Sequence, residues 1–301
     1  MNKRLLFFIS ASLIALTTEA QQDPIYAQYL NNPMIINPAY AGSNNMFNAG
    51  IQYRTQWAGL DGNPTTANFS SHMSVFQNKV GLGIQVIQDK IGDSKNTEFN
   101  TLYSYKLQLS NATLSFGMQA GLIRYTNDPT GLSLRDPNDP VFTTSLSESK
   151  INFGAGLLLK NDRYMIGLSV PRLLPSTVSQ GGQEIQVYKQ NFYLFGSYII
   201  FLSENVRFKP SVLLRGTQAS PISADLNASI NFKEYYTAGL FTRNFKTYGL
   251  LAQVFVKGLR FGYVFELPGS SESSLNFTSH EVTLGISLGL LSNHDKVLKT
   301  F

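Results

Sequence analysis

Apolar and polar residues alternate one by one along most of this chain. Leu114, Phe116, Met118, Ala120 and Leu122 interleave with Thr113, Ser115, Gly117, Gln119 and Gly121. Ile222, Ala224, Leu226, Ala228, Ile230 and Phe232 interleave with Ser223, Asp225, Asn227, Ser229 and Asn231. Val282, Leu284, Ile286, Leu288 and Leu290 do the same with Thr283, Gly285, Ser287 and Gly289. Successive strand side chains point to opposite faces, so each segment has one apolar face and one polar or small face. Such segments, taken in order, predict fourteen strands: 46–56, 65–76, 79–88, 97–109, 112–125, 150–160, 163–171, 188–200, 206–216, 222–232, 235–243, 247–256, 259–267 and 280–290. Many reach the ~9–11 residues that a tilted strand needs to cross a bilayer, and the number is even. The links sort by strand parity. After even strands they are short (77–78, 110–111, 161–162, 202–205, 233–234, 257–258). After odd strands most are longer (57–64, 89–96, 126–149, 172–187, 268–279). A β-sandwich has no reason to sort its links this way, whereas outer-membrane barrels have short periplasmic turns and longer outer loops. The expected fold is all-β: a transmembrane antiparallel β-barrel of about fourteen strands over 46–290, with both termini periplasmic.

The ends of the chain read differently. Residues 1–20 have the form of a signal peptide: Lys3 and Arg4, an apolar run over 5–16, then Thr18-Glu19-Ala20 before a cut at Gln21. That run is too short to span a bilayer as a helix. Residues 21–45 are not strand-like, because Pro24, Pro33 and Pro38 forbid a long strand or helix. This N-terminal segment is expected in the periplasm or the lumen, as a plug or a docking element, and 291–301 as a periplasmic tail. Composition supports a lipid-facing wall. Charged residues are 14% of the chain, against ~25% in ordinary soluble proteins, while Phe and Tyr number 21 and 15. With no cysteine there is neither a disulfide nor a thiol for a lipid anchor. The net charge of +5 is scattered, which argues against nucleic acid as a partner.

Little in the sequence carries chemistry. His72, His280 and His294 lack neighbours at metal-ligand spacing, so no metal site is expected. Gly285-Ile286-Ser287-Leu288-Gly289 fits a nucleophile-elbow pattern, but it lies inside an alternating strand rather than on a sharp strand-to-helix turn. His280, seven residues from Ser287, faces the other side of that strand. No catalytic residue and no cofactor are expected. Residues 134–141 gather Asp136, Asn138 and Asp139 beside two prolines, which Asp-Pro turns explain more simply than calcium. Trp57 is expected in an interfacial aromatic girdle with Tyr125 and Tyr164. Lumen-facing positions are mostly Gly, Ser, Thr, Asn and Gln, with isolated charges such as Lys106, Arg215 and Asp225 and no ring of like charge. A wet lumen, plugged or weakly selective, follows.

The amino-terminal run Gln22-Asp23-Pro24-Ile25-Tyr26-Ala27-Gln28-Tyr29, followed by Asn32-Pro33 and Asn37-Pro38-Ala39-Tyr40-Ala41-Gly42, resembles the opening of the PorP/SprF family. These are outer-membrane proteins of the type IX secretion and gliding machinery of Bacteroidota. Tyr53-Arg54-Thr55-Gln56-Trp57 with Gly59, Gly62, Pro64 and Thr65 is similar to the family's first strand and loop. Gly81-Leu82-Gly83 and Asp89-Lys90-Ile91-Gly92 fit its third strand and the loop after it. The resemblance is specific over 21–92 and only barrel-like beyond. It implies a non-enzymatic barrel that supports secretion or surface attachment of a particular cargo protein. The implied partners are a cargo carboxy-terminal domain at the outer loops, periplasmic ring components on the opposite side, and the lipid bilayer. Residues 23–42 would contact the lumen or the machine. The competing reading is an outer-membrane channel, porin-like or for hydrophobic solutes, which needs an open lumen.

Overall fold

The structure is a computed structural model that describes residues 27–129, 145–180, 183–217, 220–269 and 277–294. The expected signal peptide and the 134–141 cluster lie outside the described residues. The strands are β1 (Phe47–Thr55), β2 (Thr65–Val75), β3 (Val80–Ile91), β4 (Ser94–Gln108), β5 (Thr113–Asn127), β6 (Leu146–Lys160), β7 (Tyr164–Val170), β8 (Ser176–Gln180), β9 (Gln183–Tyr188), β10 (Asn191–Tyr198), β11 (Ile200–Phe201), β12 (Val206–Thr217), β13 (Ser223–Phe232), β14 (Tyr236–Arg243), β15 (Thr247–Val256), β16 (Leu259–Pro268) and β17 (Ser279–Leu288).

Strands β1 to β7 pair antiparallel in sequence order, β7 pairs with β10, β10 with β12, and the order then runs on to β17. β17 returns to β1, with Phe47 opposite Leu288 and Thr55 opposite His280, so the sheet closes on itself. β11 continues β10 along the same partner. The ladder lapses where Pro210, which has no N–H to donate, stands opposite, and resumes in unchanged register at Ile200 opposite Phe208. The result is a closed antiparallel barrel of fourteen strands. Two of its tight turns hold both central residues at positive φ: Lys233 and Glu234 (52° and 63°), and Lys257 and Gly258 (50° and 84°). That conformation matches the right-handed twist of the strands it joins.

The alternation becomes an inside and an outside. In β4, Phe99, Tyr103 and Tyr105 are exposed, while Asn100, Leu102, Ser104 and Lys106 between them are buried. Ile51, Tyr53, Leu122, Phe261 and Val282 likewise belong to the outer face. No helix among the described residues is long and apolar enough to cross a membrane. A closed ladder satisfies every wall strand on both sides, the condition for strands to stand in lipid.

Two links differ from expectation. Residues 89–96 do not form a loop: β3 and β4 stay paired as far as Ile91 opposite Ser94, and only Gly92 and Asp93 turn, with Gly92 at φ 55°. The polar residues there are the strand tips, which rise clear of the apolar band. The 172–187 link contains the β8–β9 hairpin. Its sequence shows no apolar face because it does not belong to the lipid-facing wall. Its Tyr188 packs instead under the Arg172 guanidinium, 4.1 Å from the ring centroid.

Candidate functional site: an occupied lumen

The N-terminal segment enters the barrel and stays there. Residues ahead of proline are held out of the helical region, so Asn32 and Asn37 are extended or irregular, and Pro33 and Pro38 each open a 3-10 helix. Proline suits that position because its missing N–H is unpaired there anyway. Asn37 Oδ1 accepts from the Ala39 amide at 2.9 Å, capping the second of these turns. Every residue from Asn31 to Gly42 is buried.

What buries them is the inner face of the wall. Tyr29, Met34, Ile36, Ala39 and Tyr40 form one apolar cluster with Leu102, Leu158, Met165, Phe195 and Leu213. Ala27 joins a second cluster with Phe241, Leu251 and Val264. The barrel therefore has an apolar core on its axis, which a purely wet lumen would not have. Glycines in β3, β5 and β6 let the segment touch the wall. A Cβ at Gly81 would collide with the Ala41 carbonyl, at Gly117 with the Ala39 backbone, and at Gly156 with the Asn37 amide.

Many polar atoms of the segment are matched to the wall. Asn32 donates to Ser70 Oγ (2.6 Å) and Asn37 Nδ2 to the Leu157 carbonyl (2.9 Å). The carbonyls of Asn31, Ile36, Ala41 and Gly42 accept from Arg260 (2.7 Å), Ser169 (2.6 Å), Ser104 (2.7 Å) and Lys106 (2.7 Å). The Gly42 amide donates to His72 Nδ1 at 3.0 Å. Burial raises the Tyr29 and Tyr40 phenols above the usual tyrosine range, so both are neutral inside the barrel. Gly42 lies beside Gly81 and Ser74, near the short-turn rim, while Ala27 reaches the middle of the lumen.

Toward the long-loop rim ion pairs run along the inner wall. Arg54 of β1 is 1% exposed and binds Glu266 of β16 at 2.6 Å and Glu281 of β17 at 3.4 Å. Arg243 of β14 joins Asp225 (3.1 Å) to the same Glu266 (3.8 Å). On the opposite wall Arg172 meets Glu98 at 2.6 Å. Asp225 and Lys106 are thus members of networks rather than isolated charges. A strand-by-strand reading cannot see this, since Asp225 and Arg243 meet only through the β13–β14 register. Glu98, Glu266 and Glu281 fell on inward-facing positions, and that phase was the available signal.

The residues singled out in the sequence converge in two places. Asn32, Pro33, Asn37, Pro38, Ala39, Tyr40 and Gly42 line the lumen with Tyr29; Asp23, Pro24, Tyr26 and the Gln28 side chain lie outside the described residues. At the long-loop rim the Gly92 amide donates to the Gly62 carbonyl (3.0 Å), Gln56 N to Pro64 O (2.9 Å), and Thr66 to Asp89 (2.6 Å). Trp57 stands exposed at that rim, and Tyr164 starts β7 at the other. His280 bonds Tyr263 and Thr278 on the outer face, whereas Ser287 is buried against Asn48. Among the described residues no group of three His, Asp or Glu is placed to hold a metal.

The family model for "Type IX secretion system membrane protein PorP/SprF" matches residues 18–286. The chain belongs to the PorP/SprF family. With a closed lipid-facing barrel, membership places the protein in the outer membrane as a component associated with type IX secretion. No curated protein matches the chain. Among solved structures, the CymD monoaromatic hydrocarbon channel is similar at a TM-score of 0.55 and 12% identity, covering 90% of this chain and 94% of its own. The Ralstonia pickettii toluene transporter TbuX is similar at 0.52 and 10%, covering 85% and 92%. At such identities the likeness of this PorP/SprF chain to the two channels speaks for the barrel alone.

Proposed function

We propose that this PorP/SprF protein is a non-enzymatic outer-membrane element of the type IX secretion and gliding machinery that supports delivery or surface attachment of one cargo protein. The observation that carries this reading is the occupied lumen. Residues 31–42 are buried without a break and bonded to strands around the barrel, and ion pairs bridge the wall above them. A barrel so filled suits holding rather than passing. In this reading the short-turn rim, with both chain ends, faces the periplasm and ring components of the machine, while the long loops receive a carboxy-terminal cargo domain. Replacing residues 37–42 with a Gly/Ser linker is expected to abolish delivery of the cargo while the barrel persists in the outer membrane. Comparison of surface proteomes reads this out: loss of one or a few large proteins supports it, and an unchanged surface refutes it.

The second reading is a channel, favoured by the cavity that persists beside the segment. Steady large openings in a planar bilayer would support it over the holding role, and a silent bilayer would not.

A further inference from the structure

The lumen is filled unevenly. On the side of β2 to β7 the segment lies against glycines, but between it and β12 to β16 a cavity of about 120 Å³ remains. Asn31, Tyr40 and Asn44 of the segment form one wall of this cavity. Lys209 and Arg260 project from the barrel into it, and Arg207, Glu234 and Tyr235 bring it to the short-turn rim. Among the described residues, three cations and one carboxylate line it, and that carboxylate, Glu234, is salt-bridged to Arg207. Arg260 donates to the Asn31 carbonyl at 2.7 Å, which uses one of the five guanidinium donors. Ser211, Ser229, Asn227 and Thr237 add neutral hydroxyls and amides around the two cations. Phe195 and Leu251, farther along their strands from that rim, add apolar surface.

Two like charges facing one partly enclosed space repel each other, and low-dielectric walls strengthen that repulsion. A bound anion offsets it. A planar guanidinium pairs with two oxygens at once, while a lysine acts as a mobile point charge beside it. We propose that this cavity is a binding site for an oxyanion, a carboxylate or a phosphate group, entering from the short-turn rim with its carbon stem toward Phe195 and Leu251. The rim is the periplasmic one under the orientation given above, but the chemistry of the site does not depend on it.

The test is calorimetric titration of the purified full chain in detergent micelles, with inorganic phosphate and glutarate as separate probes. Saturable binding of either probe is expected, weakening as salt rises. Lys209→Gln is expected to weaken binding about tenfold or more, the loss of a charge-assisted hydrogen bond. Arg260→Gln is expected to do the same but also removes a bond to the segment, so Lys209→Gln is the deciding variant. Lys150→Gln, at an exposed position on β6, is expected to bind as the parent does. Preference between the two probes tells a phosphate site from a carboxylate site. Absence of saturable binding for both probes overturns the proposal. So does an unchanged affinity in Lys209→Gln, or an equal loss in Lys150→Gln. Cargo delivery plays no part in this readout, so the two readings stand or fall separately.

Discussion

Gly117→Val tests whether the glycines on the inner wall hold the N-terminal segment in place. A Cβ at Gly117 would sit on the backbone of Pro38 and Ala39, with no flexible side chain there to retreat. β5 cannot yield either, since it is paired along its length with β4 and β6. The segment must move. Overpacking of a filled site costs roughly 1–3 kcal/mol, which raises the undocked population by about 5- to 150-fold. The chain has no cysteine, so Ala27→Cys supplies a single reporter. Ala27 is fully buried against Phe241, Leu251 and Val264, away from the substitution. The rate of maleimide labelling at residue 27 then follows the undocked population. It is expected to rise by that factor in Gly117→Val. Gly216→Val, where a new side chain meets open space, is expected to leave it unchanged, and both proteins are expected to keep the folded-barrel mobility of unheated samples on a gel. Equal labelling of the two variants would refute the reasoning.

Two other perturbations follow from the contacts. Arg54→Met strands Glu266 and Glu281 without their shared cation. It is expected to cost about 3–5 kcal/mol in denaturant unfolding from micelles, and Arg54→Met with Glu281→Gln is expected to cost less than Arg54→Met alone. His294 accepts from the Leu290 and Leu291 amides and bonds the Ser74 carbonyl at 2.7 Å, tying the chain after β17 to the end of β2. His294→Ala is expected to lose about 1 kcal/mol of local stability, seen as roughly fivefold faster amide exchange at Leu290 and Leu291 with β17 unaffected.

The wall was legible because lipid on one side and a lumen on the other impose a period of two on every crossing strand. Leu114, Phe116 and Met118 against Ser115, Gly117 and Gln119 state the whole of β5. Where neither constraint acts the pattern goes silent. β8 and β9 pair outside the lipid-facing wall, and the tips of β3 and β4 rise past the apolar band, so polar residues there resembled loop. The lumen was harder still. Ser104 and Lys106 announce an inward face, but nothing local tells that they receive the carbonyls of Ala41 and Gly42, which lie more than sixty positions away. Gly81 and Gly117 looked like small lumenal residues; only the segment resting on them shows why they are small.

The placement of that glycine surface bears on the order in which the protein assembles. Gly81, Gly117 and Gly156, with Ser70, Ser104 and Ser169, all lie in β2 to β7. These strands are joined as successive hairpins, and most of the segment's partners are present once β7 exists. The apolar residues Met34, Ile35 and Ile36 can therefore find cover on a half-built, open sheet. The seam between β1 and β17 joins the two ends of the sheet, strands more than two hundred positions apart, and so carries the largest loop-closure cost of any pairing in the wall. In the closed barrel the segment has the place of a mandrel, with the wall wound around it.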